Sequence, residues 1–378
     1  IAGITPVGPT SGTNTIAETL SNSTAAPIAV TYAFTTSANG CSQVQNVVVN
    51  VNPQPALSSS LSPTGICSGT SFSYAPTSAT AGTTFAWTRA VVGGISQGAG
   101  SGTGAISEVL TNTTTAPVNV TYIYTLTANG CTNPSTFSVV VPVNPTPQLS
   151  SALSAALCNG SAFSYTATSA TAGASFSWTR AVVGGISNSA GSGLLPTINE
   201  TLNNITTSPI SVTYAFVVSA NGCNNAQNVV VSVNPIPVLS STLSPAAICS
   251  GSTFNYTGTS ATPAATLSWS RATVAGITPI GPTSGFTSIS EALTNTTASP
   301  IVVTYAFVTS ANGCNSGQNV LVTVQPDPVL TSTLTPAAIC SGTLFAYTPT
   351  SSTAGATFAW SRSVVAGISQ GAASGSGA

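Results

Sequence analysis

Arginine occurs once every 91 residues in this chain, at Arg89, Arg180, Arg271 and Arg362, and a tryptophan stands two positions before each, at Trp87, Trp178, Trp269 and Trp360. There is no other cation, since Lys and His are both absent. Four of the five acids keep almost the same beat at Glu18, Glu108, Glu200 and Glu291, and only Asp327 stands outside it. A period this strict means that one unit is built repeatedly, with the same charged residues in the same places. A unit of this length can bury a core of its own, which a solenoid repeat of about 20–45 residues cannot. The expected picture is therefore a string of separate domains. The chain starts inside one repeat at Ile1 and stops inside another at Ala378, without an initiator Met, leader or terminal anchor. It reads as a window cut from a longer array.

Proline doublets mark the linkers: Pro53/Pro55, Pro145/Pro147, Pro235/Pro237 and Pro326/Pro328. Proline cannot continue a hydrogen-bonded ladder and stiffens a junction, so these are short semi-rigid connectors. They divide the chain into a partial repeat 1–54, complete repeats 55–146, 147–236 and 237–327, and a partial repeat 328–378. Between linkers the apolar residues alternate with period two, and no helical period is present. Phe72 and Tyr74 share one strand face, as do Phe85 and Trp87, and Ile106 with Leu110. A long strand is predicted from Val118 to Thr127 and a last one from Phe137 to Val143, with Asn129-Gly130 as a turn between them. About seven short strands in such a repeat indicate an all-β chain: a tandem array of antiparallel β-sandwiches of immunoglobulin type. Trp87, Trp178, Trp269 and Trp360 are the expected centres of the cores. Tyr32, Tyr122, Tyr214 and Tyr305, each after a Thr, are expected to pack inward with the hydroxyl capping nearby backbone, as in a tyrosine corner. The rival reading is a ligand-binding aromatic.

Composition removes whole classes of function. Charged residues are 2% of the chain and the net charge is −1, so no basic surface exists for nucleic acid or for anionic lipid. No apolar run approaches the length of a membrane helix. Calcium, which stiffens many domain arrays, takes six to eight oxygen ligands and finds too few carboxylates here. Lys–Asn isopeptide staples are impossible without lysine. The expectation is no metal, no cofactor and no enzymatic activity: one glutamate per repeat cannot make the carboxylate pair of a glycosidase, and no nucleophile has a base.

The charged residues that do exist lie on inward faces. Arg89 continues the face of Phe85 and Trp87, and Glu108 lies between Ile106 and Leu110. A lone buried charge is costly, whereas a bidentate pair persists. Arg89–Glu108, Arg180–Glu200 and Arg271–Glu291 are the expected structural ion pairs, with two unpaired surface charges per repeat as the alternative.

Cysteine forms two phased series: Cys67, Cys158, Cys249 and Cys340, and Cys41, Cys131, Cys223 and Cys314. Two per repeat, without His or a close Cys-x-x-Cys pair, indicate disulfides and an oxidising compartment rather than zinc. Cys67 precedes the second strand and Cys131 follows the sixth. These strands run in the same direction in an immunoglobulin-like sandwich, so the two cysteines fall at opposite ends. A disulfide needs Cα atoms within about 7 Å, and a strand of eight residues is about 26 Å long. Consecutive domains bring unlike ends together, which favours Cys67–Cys223 and Cys158–Cys314, leaving Cys41, Cys131, Cys249 and Cys340 to repeats outside the window. In-domain pairing (Cys67–Cys131, Cys158–Cys223, Cys249–Cys314) stays open if the topology differs.

The recurring Ile66-Cys67-Ser68-Gly69, Trp87, Thr121-Tyr122, Asn129-Gly130-Cys131 and Val143-Asn144-Pro145 resemble PKD-like and Ig-like repeats. Such repeats fill very large surface adhesins of Bacteroidota, including the mobile adhesins of gliding bacteria. Trp87 is followed by Thr88-Arg89-Ala90 and not by the Trp-Asp-Phe-Gly-Asp-Gly of a true PKD domain, which places the resemblance in the PKD-like branch. It implies export by the type IX route to the cell surface and a role as spacer or adhesive stalk in attachment or gliding. The expected partners are neighbouring repeats and, laterally, other copies, with polysaccharide or abiotic surfaces contacted by domains outside the window. A carbohydrate-binding array, using the variable segment 91–105 as contact loop, and an accessory array on a secreted enzyme are the alternatives. A longer period also exists: Ile1-Ala2-Gly3-Ile4-Thr5-Pro6 returns as Val274-Ala275-Gly276-Ile277-Thr278-Pro279, three repeats on, as if the array grew by blocks of three.

Overall fold

The computed structural model describes residues 1–376 apart from 7, 9 and 14. It contains strands, turns and loops, and among the described residues no helix. The repeat 55–146 illustrates the unit. Its strands are β1 (Ile66–Cys67), β2 (Thr70–Tyr74), β3 (Thr84–Arg89), β4 (Gly100–Thr103), β5 (Ile106–Leu110), β6 (Val118–Ala128), β7 (Cys131–Thr132) and β8 (Phe137–Asn144). One sheet has the order β1-β8-β6-β3-β4, with β7 attached to the end of β6, and the other is the antiparallel pair β2-β5. β1 runs parallel to β8, and the other pairs are antiparallel. Repeats 147–236 and 237–327 have the same five-plus-two arrangement.

The long hairpin dominates each repeat. Alternation along β6 drives Val120, Tyr122, Tyr124 and Leu126 inward, each fully buried, and Val139, Val141 and Val143 do the same along β8. From the smaller sheet Phe72, Tyr74, Ile106 and Leu110 close the core. The turn is Asn-Gly each time. Asn129 and Gly130 both take positive φ, 49° and 76°, which a tight hairpin turn requires and which asparagine and glycine tolerate. That turn lies at the end of the domain where the chain enters, and β1 with the end of β8 lies at the other.

The terminal segments are halves of the same unit. Residues 1–54 keep the hairpin Ile28–Ala38 with Cys41–Val51, and residues 328–378 keep Ala359–Arg362 paired with Ala373–Ser376. Without the strands that cover them in a complete repeat, Val47, Val49 and Trp360 stand in solvent.

Two expectations about the core require correction. The tryptophans are not its centre: Trp87 and Trp178 are half-buried, Trp269 is buried, and Trp360 is exposed in its half-repeat. The reason is position. The tryptophan's strand has only the short β4 strand or its equivalent beyond it, so the indole covers the rim. The centre belongs to Tyr122, Tyr214 and Tyr305, each fully buried, while Tyr32 in its half-repeat is half-exposed. Their hydroxyls do not cap backbone; they reach a carboxylate.

Candidate functional site

The Arg, Glu and Tyr of each complete repeat meet in one cluster. β3 pairs with β6 so that Arg89 lies opposite Tyr122, and β2 pairs with β5 so that Glu108 lies opposite Phe72. The arginine therefore comes from the five-stranded sheet and the glutamate from the two-stranded one, and their bond crosses the sandwich. Arg89 Nε donates to Glu108 Oε2 at 3.0 Å and Nη2 to Oε1 at 2.7 Å, a bidentate fork. Tyr122 Oη donates to the same carboxylate at 2.5 Å. Arg180 with Glu200 and Tyr214, and Arg271 with Glu291 and Tyr305, repeat the cluster. The guanidiniums are almost fully enclosed, and the glutamate side chains keep 12–24% exposure.

The electrostatics follow from this packing. Burial works to raise the Glu108 carboxyl, but the hydrogen bonds from Arg89 and Tyr122 outweigh it and hold the group below the usual carboxylate range. Glu291 is lowered in the same way, against burial, by the Thr283 hydroxyl nearby and by hydrogen bonds from Tyr305 and Arg271. The hydrogen bond to Glu108 raises Arg89. Burial first, and the adjacent carboxylate second, push the Tyr122, Tyr214 and Tyr305 phenols far above their ordinary value; burial takes Tyr124 up to about 12. Each glutamate is committed to two partners, so the cluster is built as a clamp between sheets and offers no free group for proton transfer.

Two further devices repeat that the charged and aromatic residues did not point to. Gly102, Gly193, Gly285 and Gly375 lie directly under the four indoles. A Cβ on Gly102 would stand 2.8 Å from the Trp87 ring, and on Gly193 2.7 Å from Trp178 Nε1. The Ser-Gly that recurs about 15 residues after each tryptophan was the available signal. The second device is a buried asparagine: Asn112, Asn204 and Asn295. Asn204 Nδ2 donates to Ser208 O and Val233 O, both at 2.8 Å, and Oδ1 accepts from Thr206 N and Oγ1, also at 2.8 Å. It ties the loop before the hairpin to the domain's last strand. The recurring Asn-x-Thr has the form of a glycosylation acceptor, yet this amide is buried and fully used.

The domain junction is the second place where predicted residues converge. The structure joins Cys67 to Cys223 and Cys158 to Cys314, each with Cα atoms 5.7 Å apart. In both bonds a cysteine beside the end of one domain's last strand meets the hairpin turn of the next domain. Cys131 and Cys249 are not paired within their domains; they, Cys41 and Cys340 have no partner among the described residues. Beside the bonds, the asparagine that ends each last strand donates to the carbonyl of the turn asparagine ahead. Asn52 reaches Asn129 O at 2.9 Å, and Asn144 reaches Asn221 O and Asn234 reaches Asn312 O at 3.0 Å. Past the linker the entering chain is fastened to its own domain's last strand: Leu149 N donates to Gln227 Oε1 at 2.6 Å, and Leu239 N to Gln318 Oε1 at 2.5 Å. Three successive junctions thus share the asparagine-to-turn bond, and two of them the disulfide.

The variable loop differs between repeats. Segment 91–105 exposes Val91 alone among its large apolar residues, whereas its counterpart in the next repeat exposes Leu194 and Leu195 as well as Val182, and that in the third exposes Ile280 and Phe286.

Residues 64–147, 155–237 and 246–328 match a family model described as a PKD-like domain. No curated protein sequence matches the chain. Similar solved structures include an I-band fragment from titin, at 13% identity and TM-score 0.36, covering 73% of this chain and 100% of that one. Extracellular domains 3–5 of Drosophila OTK give 9% identity and TM-score 0.28, covering 70% and 94%. A family 107 endo-fucoidan hydrolase gives 15% identity and TM-score 0.20, covering 72% and 44%. These likenesses carry no functional inference.

Proposed function

The chain belongs to the PKD-like domain family, and from that premise we propose that it is a structural segment of a long extracellular filament or stalk, a spacer that gives a cell-surface adhesin its reach. The observation that carries this reading is the repeated junction: three successive pairs of domains meet through the same asparagine-to-turn hydrogen bond, and two of these junctions are covalently closed. A module array that worked by binding would keep its polar residues open to ligand. Here the arginine and glutamate of each complete repeat are consumed inside it, and Asp327 is the one charged side chain of these repeats left at the surface. Disulfides call for an oxidising compartment, and no helix is long and apolar enough to cross a membrane. Service in attachment or gliding motility, with type IX export, is part of the proposal. So is the absence of enzymatic activity.

Deleting one and then two whole repeats from the parent protein tests it. The expected result is a stepwise shortening of the filament in electron micrographs, with the parent's affinity for soluble ligand unchanged. Retained length, or a glycan array on which this chain itself binds an oligosaccharide specifically, would replace the spacer with a binding array.

A further inference from the structure

We propose that the interleaved disulfides turn the array into two covalent cables, each running only through first and last strands, so that tension bypasses the domain interiors and the array cannot lengthen by unfolding. The inference deepens the spacer reading, but its premises are the connectivity and the strand directions alone.

Backbone can be followed through the bonds. From Cys41 the chain descends the last strand of the first half-repeat, Cys41–Val51, crosses the linker and descends the first segment of repeat 55–146 to Cys67. The disulfide passes it to Cys223 at the top of the next domain's last strand, Cys223–Asn234, and the linker leads to the first segment of repeat 237–327, ending at Cys249. The second cable has the same form: Cys131 to Cys158, the disulfide, then Cys314 to Cys340. All eight cysteines lie on these two paths, and the four without a partner among the described residues are their ends. Each cable takes a first segment from one domain and a last strand from the next, so every complete domain is crossed by both.

These segments have little slack. First segment and last strand lie side by side and run the same way: Ser154–Cys158 pairs in parallel with Val230–Asn234, Val230 N bonds to Leu153 O, and Leu149 bonds to Gln227. Between Leu149 and Cys158 the first segment uses nine steps where the last strand, from Gln227 to Asn234, uses seven. The surplus is about two residues, or roughly 7 Å. An unfolding repeat of the uncrosslinked chain would instead release its full 91 residues, on the order of 300 Å. From Cys41 to Cys249 the cable holds about 52 residue steps, against about 208 along the chain. Fully drawn out, these are roughly 180 Å and roughly 700 Å. Four domain lengths, taking strands of 11–12 residues at about 3.3 Å each, already span about 150 Å.

The experiment is single-molecule stretching of the oxidised chain carrying C131S and C340S, with DNA handles attached by maleimide to Cys41 and Cys249. The same molecule is then stretched again after a phosphine reductant is added. The expected oxidised trace stiffens within about 30 Å of the folded length and shows no unfolding steps at forces that unfold the reduced molecule. After reduction, steps appear and the final contour is about four times longer. Domain-sized steps before reduction, or identical traces before and after, would overturn the cables. A chain that is inextensible yet binds an oligosaccharide specifically would overturn the spacer reading and leave the cables standing.

Discussion

Removing Arg271 is the sharpest test of the clamp between sheets, because its side chain is fully enclosed and Glu291 keeps only 12% exposure. Arg271→Met preserves the apolar stem of the side chain while deleting the guanidinium, which leaves the carboxylate with hydroxyl donors only, Tyr305 chief among them. Breaking one side of a buried pair costs about 3–5 kcal/mol, and the partial water access of Glu291 puts this case near the lower end, about 3 kcal/mol. For a domain of this size that is a fall of roughly 12–24 °C in the melting temperature of the affected repeat. Glu291→Gln should cost a similar amount, because it leaves a guanidinium with 0% exposure facing a neutral amide. The double variant should cost about as much as one single change, a departure from additivity of well over 1 kcal/mol. Native-state hydrogen exchange with mass spectrometry reads this repeat by repeat. The peptides to follow are Thr266–Arg271 and Ile301–Ala311, with their equivalents in repeats 55–146 and 147–236 as internal controls. Single effects below 1 kcal/mol that simply add would refute the clamp, since that is how exposed pairs behave.

Gly102→Ala places a Cβ 2.8 Å from the Trp87 ring and should cost about 1–3 kcal/mol by overpacking, read as a shift in tryptophan emission as well as in stability; an unchanged spectrum would show that the ring does not rest there. Asn204→Ala leaves buried Val233 O without its donor and should cost about 2–3 kcal/mol, while expression in a glycosylating host should leave Asn112, Asn204 and Asn295 unmodified by mass spectrometry. The pH profile of thermal stability should be a plateau. Glu108 and Glu291 are lowered, so their contribution is complete above the unfolded carboxylate value of about 4.3 and is lost below it. Tyr122, Tyr214 and Tyr305 are raised, so theirs is complete below about 10 and is lost above it. A midrange step would contradict the assignment, because the chain has no histidine to titrate there.

What the sequence made legible was whatever depends on alternation. Period two along Phe85, Trp87 and Arg89, and along Ile106, Glu108 and Leu110, is enough to put both charges on inward faces. The pairing then follows, because two opposite buried charges in a small domain have nowhere else to go. Alternation says which way a side chain faces and nothing about what its tip meets. It shows that the Tyr122 ring lies inside, but whether its hydroxyl finds backbone or Glu108 depends on the stagger of two sheets, which no local pattern encodes. For the same reason it could not rank Trp87 against Tyr122. Both face inward, and only the order β1-β8-β6-β3-β4 puts the tyrosine on the middle strand and the tryptophan next to the edge.

Strand direction is the one long-range quantity that did pass from sequence to structure, and its consequences reach beyond the single domain. A cysteine at the foot of a first segment and another at the head of a last strand cannot meet inside a sandwich whose first and last strands run parallel. They can meet only across a junction, foot to head. Once they do, each bond hands the covalent path from a descending first segment to a descending last strand, and no part of either path has to run back up a domain. The same two cysteines placed within one domain would have stiffened that domain and left the chain between domains to carry every load. Placed as they are, they leave the folding of each sandwich to its tyrosines, valines and the Arg–Glu clamp, and assign the load to backbone that is already extended. Stability of the repeat and strength of the array therefore rest on separate residues. Reduction is expected to abolish the second while leaving the first largely in place, and the clamp variants to do the reverse.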